Sequence, residues 1–213
     1  MSKLINRFNN NKFNLSKKNK KERFNNRNTR NTKNNKLNNS LNIYDNTLQS
    51  CMENNMANGS WDNLGKCSEL DGGVHQICIK NISKKTPYFS KKTGQSNWSN
   101  KRGNNNHCVC LGAWSLYNSK HNTTKDVLKC DAIPKASLSN NYISKFSEGW
   151  NKWNGLELDN QIVNGVESLV NNCYKPVKYP GKSQKLKKNY CNFAKNINVL
   201  QNSPSNLYNT LCK

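Results

Sequence analysis

Nine cysteines and three histidines hold most of the chemistry open to this chain: Cys51, Cys67, Cys78, Cys108, Cys110, Cys130, Cys173, Cys191 and Cys212, with His75, His107 and His121. Three uses compete. The first is a structural zinc site drawn from Cys67, His75, Cys78, His107, Cys108 and Cys110, because zinc takes four nitrogen or sulfur donors in a tetrahedron. Paired C-x-x-C knuckles are absent, and only His75-x-x-Cys78 and Cys108-x-Cys110 occur. On a regular strand His75 and Cys78 point to opposite faces, so they converge only where that segment turns. The second use is disulfide bracing, with Cys173 and Cys191, which flank a basic stretch, as the first expected pair. An odd cysteine count leaves one thiol over, or bridging to another chain. The third use is buried or reactive thiols. Cys108-x-Cys110 sets both sulfurs on one side of a strand, where a dithiol can exchange electrons. From this comes the alternative reading of a metal- or thiol-dependent enzyme centred on His75, Cys78, Cys108 and Cys110.

Other catalytic arrangements are thin. Glu69 and Asp71 near His75 could make an acid–base set, but two acids in a polar turn are ordinarily just solvated. His121 sits in a polar stretch and is expected at the surface. No G-x-S-x-G, P-loop or Rossmann glycine pattern occurs. No catalytic residue is assigned, and no reaction follows.

Charge is the second strong signal. Thirty-four Lys and Arg against 12 Asp and Glu leave +22, and only 33% of residues are apolar, below the ~45–50% usual for a globular domain. Asn alone accounts for 43 positions; an A/T-rich coding sequence drifts toward Asn and Lys, which explains part of this but not the scarcity of acids. Residues 1–40 hold 12 basic residues and one acid, Glu22. With few aliphatics and no sustained periodicity, this segment cannot bury enough surface to offset its ordering entropy. Residues 1–45 therefore read as a low-complexity basic arm, solvated unless a partner orders it. Arg7-Phe8-Asn9-Asn10, Lys12-Phe13-Asn14 and Arg23-Phe24-Asn25-Asn26 form a crude repeat. Cations beside aromatics suit phosphate neutralisation with base stacking, so Arg7, Phe8, Lys12, Phe13, Arg23, Phe24, Arg27 and Arg30 are candidate nucleic-acid contacts. A mitochondrial presequence is a lesser alternative. No run approaches the ~20 apolar residues of a membrane span, and no signal-peptide core is present, so the expectation is an intracellular protein.

These groups must be positioned by a module at 46–142 and a helical extension at 143–213. Residues 74–82 read as a strand with Ile77 and Ile79 on one face, and 127–133 as a second candidate strand ended by Pro134. A helix is expected over 113–119, carrying Trp114 and Tyr117. Ser139 could cap another, with Ile143, Phe146, Trp150 and Trp153 on one stripe; Asp159 could cap a third, with Ile162, Val166, Leu169 and Cys173 inward. Residues 174–190 contain Lys175, Lys178, Lys182, Lys185, Lys187 and Lys188 and no acid. Pro176, Pro180 and Gly181 mark that stretch as a loop, and Lys182, Lys185, Lys187 and Lys188 join the candidate nucleic-acid contacts.

From Cys51 to about residue 142 the chain resembles a small-protein family of bacteria and plants catalogued as domain of unknown function 2237. The residues that carry the likeness are Cys51, Gly59-Ser60-Trp61, Gly65-Lys66-Cys67, Asp71-Gly72-Gly73-Val74-His75-Gln76-Ile77-Cys78, Phe89-Ser90-Lys91-Lys92-Thr93-Gly94, His107-Cys108-Val109-Cys110 and Ala113-Trp114. Lys66 stands where the family has a second cysteine, His107 where it has Trp, and Ala113 where it has Arg. The resemblance implies a compact α+β module with grouped cysteines and supplies no reaction.

The expected whole is an α+β protein: a small cysteine-braced domain with short strands and two to three amphipathic helices, behind a basic arm. The expected role is non-catalytic, with an anionic partner. That partner would be nucleic acid or the neighbours in a large assembly such as a virion.

Overall fold

The computed structural model describes residues 41–52, 65–67, 75–121, 123, 126–139 and 158–213, with backbone alone for 158–162. The chain divides into two units, Met1–Lys36 and Leu37–Lys213, and the described residues belong to the second. The arm contacts named above, from Arg7 to Arg30, and the helix expected around Ile143 to Trp153 lie outside the described residues.

The strand expected at 74–82 is shorter. β1 is His75–Ile79, and it pairs antiparallel with β2, His107–Cys110. The register sets Cys78 opposite Cys108 and Ile79 opposite His107, with an irregularity between His75 and Ile77. Gln76 through Ile79 are buried without alternation, so this short ladder lies inside the core with both faces covered. Residues 127–133 do not form a second strand. Lys80 N–H donates to the Val127 carbonyl and Lys129 N–H to the Cys78 carbonyl, after which the chain turns through a 3-10 segment, Cys130–Ala132.

Between the strands run α1 (Ile82–Lys85), α2 (Phe89–Lys92) and a 3-10 turn, Ser99–Arg102. Ser90 and Ser99 exchange bonds: each backbone N–H donates to the other's hydroxyl, at 3.1 and 3.0 Å. Phe89 is enclosed by Trp98 and Tyr117. α3 (Leu111–Lys120) starts directly from β2, and its first seven residues are all buried. It is therefore a core helix rather than an amphipathic one.

α4 (Leu158–Cys173) packs along α3, with Val166, Leu169 and Cys173 inward as the periodicity implies. Gly165 permits the approach, since a Cβ there would sit 3.0 Å from Leu111 Cδ1. The basic stretch is not a loop. α5 spans Pro180–Ala194 with Pro180 in its first turn, where the missing N–H has no helical acceptor to lose and the fixed φ suits the helix. The proline read as a breaker is a start signal. α6 (Asn198–Gln201) and α7 (Leu207–Cys212) close the chain, completing seven α-helices and a two-stranded sheet among the described residues.

Neither boundary drawn from composition separates structure. Ile43, Tyr44 and Leu48 are buried, so an arm ending at residue 45 would cut through the core. Elements on both sides of residue 142 share one apolar cluster, from Ile77 and Trp114 to Leu169 and Tyr190. The segment at 41–48 is held by Asn42, which is wholly buried. Its side-chain oxygen accepts from Tyr44 N–H (2.9 Å) and Asn46 N–H (3.2 Å), and its amide donates to the Asp131 carbonyl (3.1 Å). Asn42→Ala should lower unfolding free energy by about 2 kcal/mol or more, because it orphans buried groups; urea titration would measure it. No helix among the described residues is long and apolar enough to cross a membrane.

Candidate functional site

Eight of the nine cysteines are consumed by four bridges: Cys51–Cys78, Cys67–Cys108, Cys130–Cys173 and Cys191–Cys212. The expected Cys173–Cys191 pair is not formed. Because 180–194 is a helix rather than a loop, the basic stretch needs no clasp across its base. Cys173 instead ties the end of α4 to the Cys130–Ala132 turn, and Cys191 ties α5 to α7.

The zinc set read from sequence does not assemble in this disulfide-bonded form. Cys67 and Cys108 are bonded to each other, and Cys78 is bonded to Cys51, so three of the six candidates have no thiolate to offer. The histidines go elsewhere. His107 is buried and its ring lies 4.3 Å from that of Trp98. His75 is the register partner of Cys110, at the far end of the ladder. Cys110 is half-buried and is the one cysteine in no disulfide. His121 is half-buried, with its ring 5.0 Å from that of Tyr117. Glu69 and Asp71 lie outside the described residues.

Burial, then the charges of Arg102 and His75, push the His107 pKa down to about 3. Unfolded, the same imidazole titrates near 6.5. The folded value is depressed, so the unfolded chain binds the proton first. Stability is complete above about pH 6.5 and is lost as pH falls toward 3, by at most ~1.4 kcal/mol per unit. Melting temperature should therefore fall on acidification below 6.5. His107→Phe, which keeps a ring against Trp98, should flatten that slope.

The charged surface has a definite organisation. Asp126 accepts from Lys175 (2.7 Å) and Lys80 (3.0 Å), and those hydrogen bonds hold its carboxyl down at about 2. Lys135 pairs with Asp45 at 2.6 Å. Lys182 donates to both oxygens of Asp131, at 2.8 and 2.9 Å, and sits 5.5 Å from the ring centres of Tyr44 and Tyr179. Lys182, a candidate nucleic-acid contact, is thus engaged within the fold. Lys185, Lys187 and Lys188 are exposed on α5, and Lys195 follows its last turn. Lys185 donates to the side-chain oxygen of Asn46 at 3.2 Å. No ion pair to these four lysines is found among the described residues, and from residue 168 to the end of the chain there is no acid against eight lysines. At the helix start, Tyr179 is 44% exposed, enough to offer its ring, with the Lys178 ammonium 5.2 Å from its centre.

This face was only partly legible beforehand. The lysines were found by charge, but which of them project depended on the helical phase, which the loop reading hid. No family model, no curated protein and no solved structure matches this chain.

Proposed function

We propose that this chain is a non-catalytic, disulfide-braced module that binds an anionic partner, and that the partner is nucleic acid. The observation that supports this reading is the α5 face: Lys185, Lys187 and Lys188 exposed on a rigid helix, in a C-terminal stretch without acids. Cations fixed on a helix neutralise phosphates without base contacts, which gives sequence-independent, salt-sensitive binding. Tyr179 beside Lys178 adds a ring on which a base can stack. The arm, with its Arg-Phe and Lys-Phe pairs, would extend the same contact. A place as a minor structural component of a large assembly, a virion included, suits the same rigidity and charge. Four disulfides fit an oxidising setting, so an intracellular site would have to be an oxidising niche.

The test is fluorescence-anisotropy titration of the full chain against a short DNA duplex at several salt concentrations. Lys185→Gln/Lys187→Gln/Lys188→Gln should weaken binding and reduce the log–log salt slope by about 3, near 0.9 per lost phosphate contact. An unchanged slope removes the α5 face from the interface. Equal affinity for polyglutamate at the same salt would make the partner any polyanion.

One observation favours a thiol enzyme instead: the register places Cys110 directly across from His75. A thiolate–imidazolium pair would keep Cys110 reactive toward alkylation well below the ordinary thiol pKa of ~8.5. Under the binding reading, Cys110 alkylates with an ordinary thiol pH profile.

A further inference from the structure

Two of the four disulfides are neighbours. Cys78 and Cys108 face each other across the β1–β2 ladder, and each is bonded to a cysteine that precedes β1, Cys51 and Cys67 respectively. The sulfurs of Cys51, Cys67 and Cys108 lie within 4.8 Å of one another, and that of Cys78 is bonded to Cys51. All four residues are fully buried. Among the described residues, no other group of three or more potential metal donors lies so close.

We propose that Cys51, Cys67, Cys78 and Cys108 form a tetrathiolate zinc site when the chain folds under reducing conditions. The same four sulfurs close into two disulfides when it folds under oxidising ones. A tetrahedron with Zn–S bonds of about 2.3 Å has edges of about 3.8 Å. The Cys51 sulfur already lies within 4.8 Å of those of Cys67 and Cys108. The Cys78 sulfur, outside that group, has to move toward them as its bond to Cys51 opens, and each bonded pair separates by less than about 2 Å. The chemistry balances. Two equivalents of a dithiol reductant give four electrons and four protons, converting two disulfides to four thiols and becoming two disulfides themselves. One zinc ion then displaces four protons and leaves a buried site of charge −2. A chain of formal charge +22 is a favourable host for that charge. The choice is made during folding, since the closed cluster has no exposed sulfur.

This set differs from the one the sequence offered. Cys51 enters, while His75, His107 and Cys110 drop out, because the ligands come from two strand residues in register and two separate upstream segments. No knuckle spacing announces such a site. The site does not rest on the nucleic-acid reading.

The test is to unfold the full chain, reduce it with a phosphine, and refold it anaerobically with and without zinc. The product is desalted and labelled under native conditions with an alkylating agent. One zinc per chain by elemental analysis is expected. Relative to the zinc-free refold, zinc should protect Cys51, Cys67, Cys78 and Cys108, while labelling of the other five cysteines, buried Cys173 included, should be the same with and without it by peptide mapping. Cobalt substitution should give the absorption of a tetrahedral tetrathiolate. Cys191→Ser/Cys212→Ser should keep the metal and Cys67→Ser should lose the tetrathiolate spectrum. Failure to retain zinc, zinc-dependent protection spread over all nine cysteines, or zinc-dependent protection of Cys130, Cys173, Cys191 or Cys212 overturns the proposal.

Discussion

Cys130→Ala/Cys173→Ala should destabilise the oxidised protein by about 4 kcal/mol, the chain-entropy value for a loop of this length. The bridge closes 43 residues, and it does so at a junction. Cys130 opens the 3-10 turn that follows residues 127–129, and Cys173 ends α4. Around the bridge, the Tyr44 hydroxyl donates to the Cys173 carbonyl at 2.9 Å, and Val127 N–H donates to the Asn172 side chain at 3.2 Å. Those bonds keep the folded geometry in place without the sulfurs, so the cost falls on the unfolded chain, which gains freedom. At ~2–4 °C per kcal/mol for a chain of this size, the melting temperature should drop by about 8–16 °C. The Cys191–Cys212 bridge closes only 21 residues, and its removal should cost about 0.6 kcal/mol less. Urea titration of both double variants gives the order. A loss below about 1 kcal/mol for the first pair would show that it does not constrain the unfolded chain.

Deleting residues 1–40 should remove most of the salt dependence of nucleic-acid binding while leaving the fold intact. That segment carries +11 of the net +22, and Ile43 is the first buried apolar residue among the described ones. If the full chain neutralises ~6–10 phosphates, affinity falls by about 10³–10⁵ between 50 and 200 mM salt. The α5 lysines can supply about three of those contacts, so the truncated chain should keep a slope near −3 and lose the rest. Anisotropy titrations at matched salt measure this, with far-UV circular dichroism to check folding. A slope that survives truncation would remove the arm from the interface.

The α+β class, the cysteine bracing, β1, α3 and α4 were all readable because each rests on local pattern. Ile77 and Ile79, Trp114 and Tyr117, and Val166 and Leu169 mark their elements by spacing alone. What was not readable depends on pairing across the chain. Cys173 takes Cys130 rather than Cys191 because α4 ends beside the 3-10 turn that follows residues 127–129, and no sequence separation encodes that. α5 is hidden in the sequence because Pro180 has the pattern of a breaker, whereas in the fold it opens the helix. Asparagine misled most. Its abundance looked like compositional drift, yet several buried or half-buried copies tie loops to backbone. Asn106 donates to the Cys51 carbonyl at 2.6 Å and accepts from Asn81 N–H at 2.9 Å. Asn189 donates to the Ile43 carbonyl at 3.1 Å. A primary amide can satisfy a backbone donor and acceptor together, so a chain with few regular strands uses it to hold irregular segments in place.

That the cysteines brace the fold rather than perform chemistry is tested most directly by counting thiols. Protein folded under oxidising conditions is denatured without reductant, alkylated, digested and mapped by mass spectrometry. One label, at Cys110, and cross-linked peptides joining Cys51 to Cys78, Cys67 to Cys108, Cys130 to Cys173 and Cys191 to Cys212 are expected. Three or more labelled cysteines, or a peptide joining Cys173 to Cys191, would contradict it.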